Sequence, residues 1–230
     1  MKVVILAGGK GTRISEYTRT IPKPMIKIGN QPIIEHIINL YKKYFFTEFI
    51  IAAGYKYNIV KKYFSKKKYK NIKVVNTGKN TLTGKRIKKL QKFLQNDTFL
   101  LTYGDGLSNV NLKKLIACHK KNKKIATMTI VRPPARFGEV EFKNNHILSF
   151  KEKPQLQKGW INGGFFVFEP SIFKILSMKN VMLEREPLQK LVQRKQLNAY
   201  VHTKFWYCMD NLRDKYVLDK LNKARKPPWK

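Results

Sequence analysis

The stretch Lys2-Val3-Val4-Ile5-Leu6-Ala7-Gly8-Gly9-Lys10-Gly11-Thr12-Arg13 runs from a short apolar segment straight into a glycine-rich, basic loop. Val3–Leu6 is apolar at every position, the pattern of a strand buried on both faces. Gly8, Gly9 and Gly11 let the backbone come close to an anion and turn its N–H groups toward it. Arg13, and Lys23 in Pro22-Lys23-Pro24, add the full charges that a nest of amides lacks. The two prolines restrict the backbone on both sides of Lys23 and so hold its ammonium in place. Together these residues read as a triphosphate cradle at the carboxyl end of a first strand.

Two commoner phosphate motifs are excluded. A P-loop needs Ser or Thr directly after Gly-Lys, but Gly11 follows Lys10, and Arg86 follows Gly84-Lys85. A dinucleotide fingerprint needs a third glycine where Ile14 stands.

Working outward, strands and helices alternate. Phe49–Ala53, Ile72–Val75, Thr98–Tyr103 and Ile125–Val131 read as further strands. Helical stripes run through Ile33, Ile34, Ile37, Ile38, Leu40, Tyr41 and Tyr44, through Ile59, Val60, Tyr63 and Phe64, through Ile87, Leu90, Phe93 and Leu94, and through Leu112, Leu115, Ile116 and His119. This order predicts an α/β fold: a mixed, mostly parallel sheet with helices on both faces. Ligands in such sheets sit beyond the carboxyl ends of strands, where Gly8–Arg13 and Gly104-Asp105-Gly106 both fall. The second half changes character. Glu139–Phe142, His146–Phe150 and Trp160–Phe168 read as a small β-meander appended to the sheet, and Arg225–Lys230 as a loose tail. No linker or internal repeat divides the 230 residues, so a single domain is expected.

The net charge of +34 raises the question of nucleic acid. Lysine supplies 39 of the 48 basic residues and is spread along the whole chain, whereas nucleic-acid sites lean on Arg with interleaved aromatics. The composition therefore argues against a nucleic-acid partner, and a basic RNA-binding protein on a degenerate enzyme scaffold is the least favoured reading. Cys118 and Cys208 make neither a metal-ligand spacing nor a disulfide framework, which fits a reducing cytoplasm. The apolar run at Lys2–Ala7 is too short for a signal peptide and no segment approaches a membrane span, so no membrane association is expected. His36, His119, His146 and His202 have no mutual spacing that suggests a metal site or a triad, and read as core or surface residues.

Three further clusters carry potential chemistry. Gly104-Asp105-Gly106 is either an Asp-Gly turn or a carboxylate set to hold Mg²⁺ at a strand's end, with Asp210 the candidate partner. Asp214 and Asp219 read as surface charges on a following helix. Glu152-Lys153-Pro154 is either a solvated edge or a pair binding a sugar hydroxyl and a sugar phosphate. The glycines of Asn162-Gly163-Gly164 would let a ligand approach the backbone.

In order and spacing, Gly8–Arg13, Pro22-Lys23-Pro24, Gly104-Asp105, Glu152-Lys153-Pro154 and Asp210 resemble the sugar-phosphate nucleotidyltransferases over nearly the whole chain. Val131–Gly138, Trp160–Val167, Glu186-Pro187-Leu188 and Met209–Lys215 are most similar to the cytidylyl branch acting on glucose 1-phosphate. The resemblance implies the three-layer, Rossmann-like fold of nucleotide-diphospho-sugar transferases. It also implies a nucleotide-binding part at about 1–130 and a sugar-phosphate-binding part at about 131–230. The implied reaction is CTP plus α-D-glucose 1-phosphate giving CDP-glucose and diphosphate, feeding surface polysaccharide synthesis. A thymidylyl or uridylyl transfer to a sugar 1-phosphate is the alternative. Mg²⁺ is the implied cofactor, on Asp105 and Asp210, and a homo-oligomer the implied assembly. Catalytic roles fall to Arg13, Lys23, Asp105 and Lys153. Nucleotide contacts fall to Leu6, Ala7, Gly8, Gly9, Lys10, Gly11, Thr12, Arg13, Lys23, Thr81, Arg86 and Gly104; sugar-phosphate contacts fall to Glu152, Lys153, Asn162 and Gly163.

Overall fold

The computed structural model describes all residues except 67–68, 135–138 and 152–158. Its strands are β1 (Val3–Ala7), β2 (Lys27–Ile28), β3 (Gln31–Pro32), β4 (Phe49–Ala53), β5 (Ile72–Asn76), β6 (Phe99–Tyr103), β7 (Gly106–Ser108), β8 (Ala126–Val131), β9 (Glu139–Lys143), β10 (His146–Lys151), β11 (Ile161–Phe168), β12 (Leu197–Val201) and β13 (Trp206–Cys208). Its helices are α1 (Ser15–Thr18), α2 (Ile33–Lys42), α3 (Tyr57–Phe64), α4 (Thr83–Lys88), α5 (Gln91–Leu94), α6 (Leu112–Asn122), α7 (Glu186–Gln193) and α8 (Leu212–Asn222).

Seven strands form one sheet in the order β12-β8-β11-β6-β1-β4-β5. All pairings are parallel except those of β11, which runs against both neighbours. Strands buried on both faces divide their side chains between two cores. Val3, Ile5 and Ala7 of β1 join α2, α3, α6 and α8 on one side through residues such as Ile37, Tyr41, Phe64, Leu115 and Leu218. Val4 and Leu6 join Ile87, Leu94, Leu188 and Leu191 of α4, α5 and α7 on the other. That is the expected three-layer arrangement. From β1 the chain builds outward through β4 and β5, then returns to place β6 on the opposite flank of β1. The strand order thus reverses between β1 and β6, and the crevice beyond their carboxyl ends is where such sheets bind ligands.

Three local expectations are revised. The three strands of the second half separate: β9 and β10 form a hairpin of their own, whereas β11 enters the main sheet between β6 and β8. The reason lies in Phe165–Phe168, four apolar residues buried on both sides, which a solvated appendage could not cover. The third helical stripe breaks at Leu90 into α4 and α5. The tail is docked rather than loose. Trp229 is buried, packs edge-on to His36 and tilted against Phe205, and its indole N–H donates to His36 Nδ1 at 3.2 Å. A tryptophan's large apolar body favours burial, and its N–H then requires an acceptor.

Candidate active site

Beyond Ala7 the chain turns through Gly8 to Gly11 into a short 3₁₀ turn at Thr12–Ile14. Gly11 has φ +66°, and a Cβ there would meet Thr18 Cγ2 at 2.9 Å, so both conformation and space demand glycine. Gly8 is required for another reason: a Cβ would lie 1.9 Å from the Arg86 guanidinium. Arg86 is buried beneath the loop and donates to the carbonyls of Gly8, Ala53, Gly78 and Thr81 and to Thr77 Oγ1. It therefore ties together the chain leaving β1, β4 and β5. Burial brings its pKa down to about 10.

Lys23 opens a 3₁₀ turn, Lys23–Met25, and its ammonium donates to Asp105 at 2.8 Å and Asp210 at 3.3 Å. Arg13 donates to the other oxygen of Asp210. Asp105 follows β6 through Gly104, whose N–H reaches back to Leu6 O at 3.0 Å. Asp210 follows β13, and β13 pairs antiparallel with β7, the strand that leaves Asp105. The amide of Met209 donates to Asp105 O at 2.9 Å, locking the two acidic segments in register. One ammonium touching both carboxylates shows that they converge on a point where a cation is held.

Burial pulls the pKa of Lys23 down, but Asp105, Cys208 and Asp210 outweigh it, and the net shift is upward. Lys23 is thus a fixed positive charge at neutral pH. Cys208 lies beside it, and burial, then the charge of Asp105, push its thiol well above the ordinary range. A neutral thiol is no nucleophile.

A cavity of about 520 Å³ opens over these groups. Leu6, Ala7, Gly8, Gly9, Gly11, Thr12, Arg13, Lys23, Arg86, Gly104, Asp105, Asn162 and Asp210 all line it, so most of the residues singled out in the sequence share one space. Lys10 is exposed outside it. Thr81 does not line it either; its hydroxyl donates to Thr77 O at 2.7 Å and supports the turn beneath Arg86. At Gly163 the space of a Cβ is taken by Val131, and at Gly164, φ +79°, by the Tyr103 ring. Packing, not an open approach for a ligand, explains that glycine pair. Glu152 and Lys153 lie outside the described residues.

Several wall residues escaped the sequence reading. Tyr103, the last residue of β6, donates its hydroxyl to Glu184 and accepts from Asn162 Nδ2 at 3.2 Å. Glu184 also accepts from Thr83 Oγ1 at 2.6 Å, so Thr83, Tyr103 and Asn162, which line the cavity, are joined in one hydrogen-bonded chain. Trp206 lines the cavity and donates to Gly163 O at 2.7 Å. Tyr103 and Trp206 read as core in an apolar run, and no local signal sets them apart. Asp214 is a correction. It is buried, not a surface charge, and forms a capping box with Asn211 at the start of α8. The spacing Asn-x-x-Asp ahead of a helix was the available signal.

The donor set fits a hard divalent cation. Two carboxylates converge, and among the described residues no group of three or more His, Cys, Asp and Glu could hold a metal. Mg²⁺ keeps waters and substrate phosphates as most of its ligands and needs only one or two protein carboxylates.

A glycine-rich turn at the switch point of a doubly wound sheet, facing fixed cations and paired carboxylates, defines a nucleotide-binding α/β enzyme. The chain belongs to the nucleotidyl transferase family, whose sequence model matches residues 2–212. It is 40% identical to the glucose-1-phosphate cytidylyltransferase of Salmonella typhimurium, covering all of this chain and 99% of that one. It is 38% identical to a Bacillus subtilis protein named "Probable glucose-1-phosphate cytidylyltransferase", with the same coverage. The structure of HddC from Yersinia pseudotuberculosis, complexed with GMP-PN, superposes with a TM-score of 0.75 at 24% identity, covering 96% of this chain and 99% of that one. Among the described residues, no helix is long and apolar enough to cross a membrane.

Proposed function

We propose that this protein transfers a cytidylyl group from CTP to α-D-glucose 1-phosphate, giving CDP-glucose and diphosphate. The observation that carries the reading is end-to-end identity of 40% with a glucose-1-phosphate cytidylyltransferase. The site chemistry is consistent with it. A phosphate oxygen of the sugar phosphate attacks the α-phosphorus in line, the bond to the bridging oxygen breaks, and diphosphate leaves with its electron pair. No protein nucleophile is needed, and catalysis reduces to positioning and charge neutralisation.

In this reading the Gly8–Gly11 amides and Arg13 hold the departing diphosphate, and Lys23 offsets charge on the α-phosphate. Asp105 and Asp210 hold Mg²⁺, which when bound neutralises phosphate charge and polarises the α-phosphorus. Lys153 aligns the attacking phosphate, Glu152 a sugar hydroxyl, and Asn162 the sugar from the Tyr103 wall. Nucleotide-sugar synthesis for a surface polysaccharide, a cytoplasmic setting and a homo-oligomeric assembly complete the proposal. The test is a matrix of nucleoside triphosphates against sugar 1-phosphates with diphosphate release as readout. Turnover confined to CTP with glucose 1-phosphate and Mg²⁺ is expected. Equal turnover with dTTP or UTP overturns the cytidylyl assignment, and steeply salt-dependent RNA binding without turnover overturns the whole proposal.

A further inference from the structure

Asp214 is a buried carboxylate on which none of the proposed chemistry calls, and its contacts exceed what a helix cap needs. A capping box requires only that the side chain at the third helical position accept the N–H of the cap residue. Asp214 Oδ2 does so for Asn211 at 3.1 Å, while Asn211 Oδ1 accepts the Asp214 N–H at 3.0 Å. The same Oδ2 also accepts the N–H of Asp210, one residue before the cap, at 2.9 Å. The other oxygen, Oδ1, accepts the Tyr207 hydroxyl at 3.3 Å, from β13. One carboxylate therefore grips the strand before Asp210, the backbone of Asp210 itself and the helix after it.

We infer that Asp214 is a positioning residue that sets Asp210 toward Asp105 for metal binding, an inference that rests on the proposed metal role of that pair. The physical need follows from the partners of Asp210. Its carboxylate is held by Arg13 and Lys23, and both cations are the groups proposed to turn to the phosphates when nucleotide arrives. When they turn, a fixed backbone keeps the Asp210 side chain aimed at Asp105. The backbone is anchored on one side by Met209 N–H on Asp105 O and at Asp210 itself by Asp214. Groups that orient metal ligands in this way typically govern about 10–100-fold in metal affinity or activity.

The experiment compares wild type with Asp214→Ala, Asp214→Asn, Tyr207→Phe and Asn111→Ala in the full chain. Asn111 caps α6 by accepting from Lys114 N–H at 3.0 Å, outside the cavity, and controls for loss of a helix cap alone. Mn²⁺ affinity is read by electron paramagnetic resonance with a non-hydrolysable CTP analogue present, alongside kcat, KM and the melting temperature. Asp214→Ala is expected to weaken Mn²⁺ binding and lower kcat by about 10–100-fold, with KM for glucose 1-phosphate changed less than about threefold. Asp214→Asn, which keeps an oxygen for the two amides, should recover most of both losses. Asn111→Ala should lower the melting temperature and leave metal affinity untouched. If Asp214→Ala fails to fold, Tyr207→Phe, which removes the hydroxyl donated to Asp214 Oδ1, carries the test through a smaller loss of Mn²⁺ affinity. Lowered melting temperatures with wild-type metal affinity and kcat in Asp214→Ala and Tyr207→Phe would overturn the inference. A wild-type chain that binds no Mn²⁺ with nucleotide would overturn the metal role of Asp105 and Asp210 first, and this inference with it.

Discussion

Replacing Lys23 by Met keeps the length of the side chain and removes the charge on which two carboxylates converge. The side chains of Lys23 and Asp210 are 12% and 11% exposed, and that of Asp105 is 26% exposed. Removing one partner of a buried pair costs about 3–5 kcal/mol because the other charge is left uncompensated. Here Arg13 still neutralises Asp210 and water reaches part of Asp105, so a loss of about 2–3 kcal/mol is expected. For a chain of this size that lowers the melting temperature by roughly 4–12 °C. A divalent cation should then replace the missing ammonium. Mg²⁺ at a hundred times its dissociation constant restores about 2.7 kcal/mol. The assay is a melt across a Mg²⁺ titration without nucleotide. The variant should be rescued, while the wild type, whose ammonium already holds the position, should barely respond. Turnover should fall at least about a hundredfold, because the positive charge that offsets the α-phosphate is gone. A wild type stabilised by Mg²⁺ as strongly as the variant, or a variant with an unchanged melt, would refute the reasoning.

Gly8→Ala should force the buried Arg86 guanidinium off the carbonyls of Gly8, Ala53, Gly78 and Thr81, with a loss of more than about 2 kcal/mol in urea unfolding and a raised KM for nucleotide. Trp229→Ala should cost about 3–5 kcal/mol by the same measurement, since the tail fills the core against His36 and Phe205. Acid should destabilise the fold through His36 and His202, whose pKa values are lowered, by burial first of all. Between the lowered folded value and 6.5 the unfolded chain binds the protons, so melting temperature should fall as pH drops through 6.5 and level off below the folded values. Lys23 acts with the opposite sign: its contribution is complete below pH 10.5 and lost as pH rises through its raised value.

Legibility was greatest where chemistry and geometry are local. Phe49–Ala53 emerges with its expected bounds because five consecutive apolar residues can only be buried on both faces. The Gly8–Arg13 loop was legible for a similar reason: positive φ and close approach are demands on single residues, met by Gly11 and Gly8. β11 was harder, since an apolar run does not state whether it joins the main sheet or a hairpin. Trp229 could not be placed at all from a proline-rich, basic tail, because its partners His36 and Phe205 are distant in the chain.

By itself, then, the sequence determined the layered α/β class, the glycine-rich turn after β1 and the Gly104-Asp105-Gly106 turn after β6. Those are properties of short windows, governed by hydrophobic period and glycine stereochemistry. Only the tertiary structure decided that Lys23 sits between Asp105 and Asp210, 82 and 187 residues away, and that Arg86 spends its guanidinium on the protein's own carbonyls. It also decided that Asp214 turns inward to hold Asp210 rather than outward to solvent. The physical reason is the same in each case. A charged side chain takes its role from whichever groups the fold brings within about 3 Å of it, and those groups come from strand ends that only the closed sheet makes neighbours.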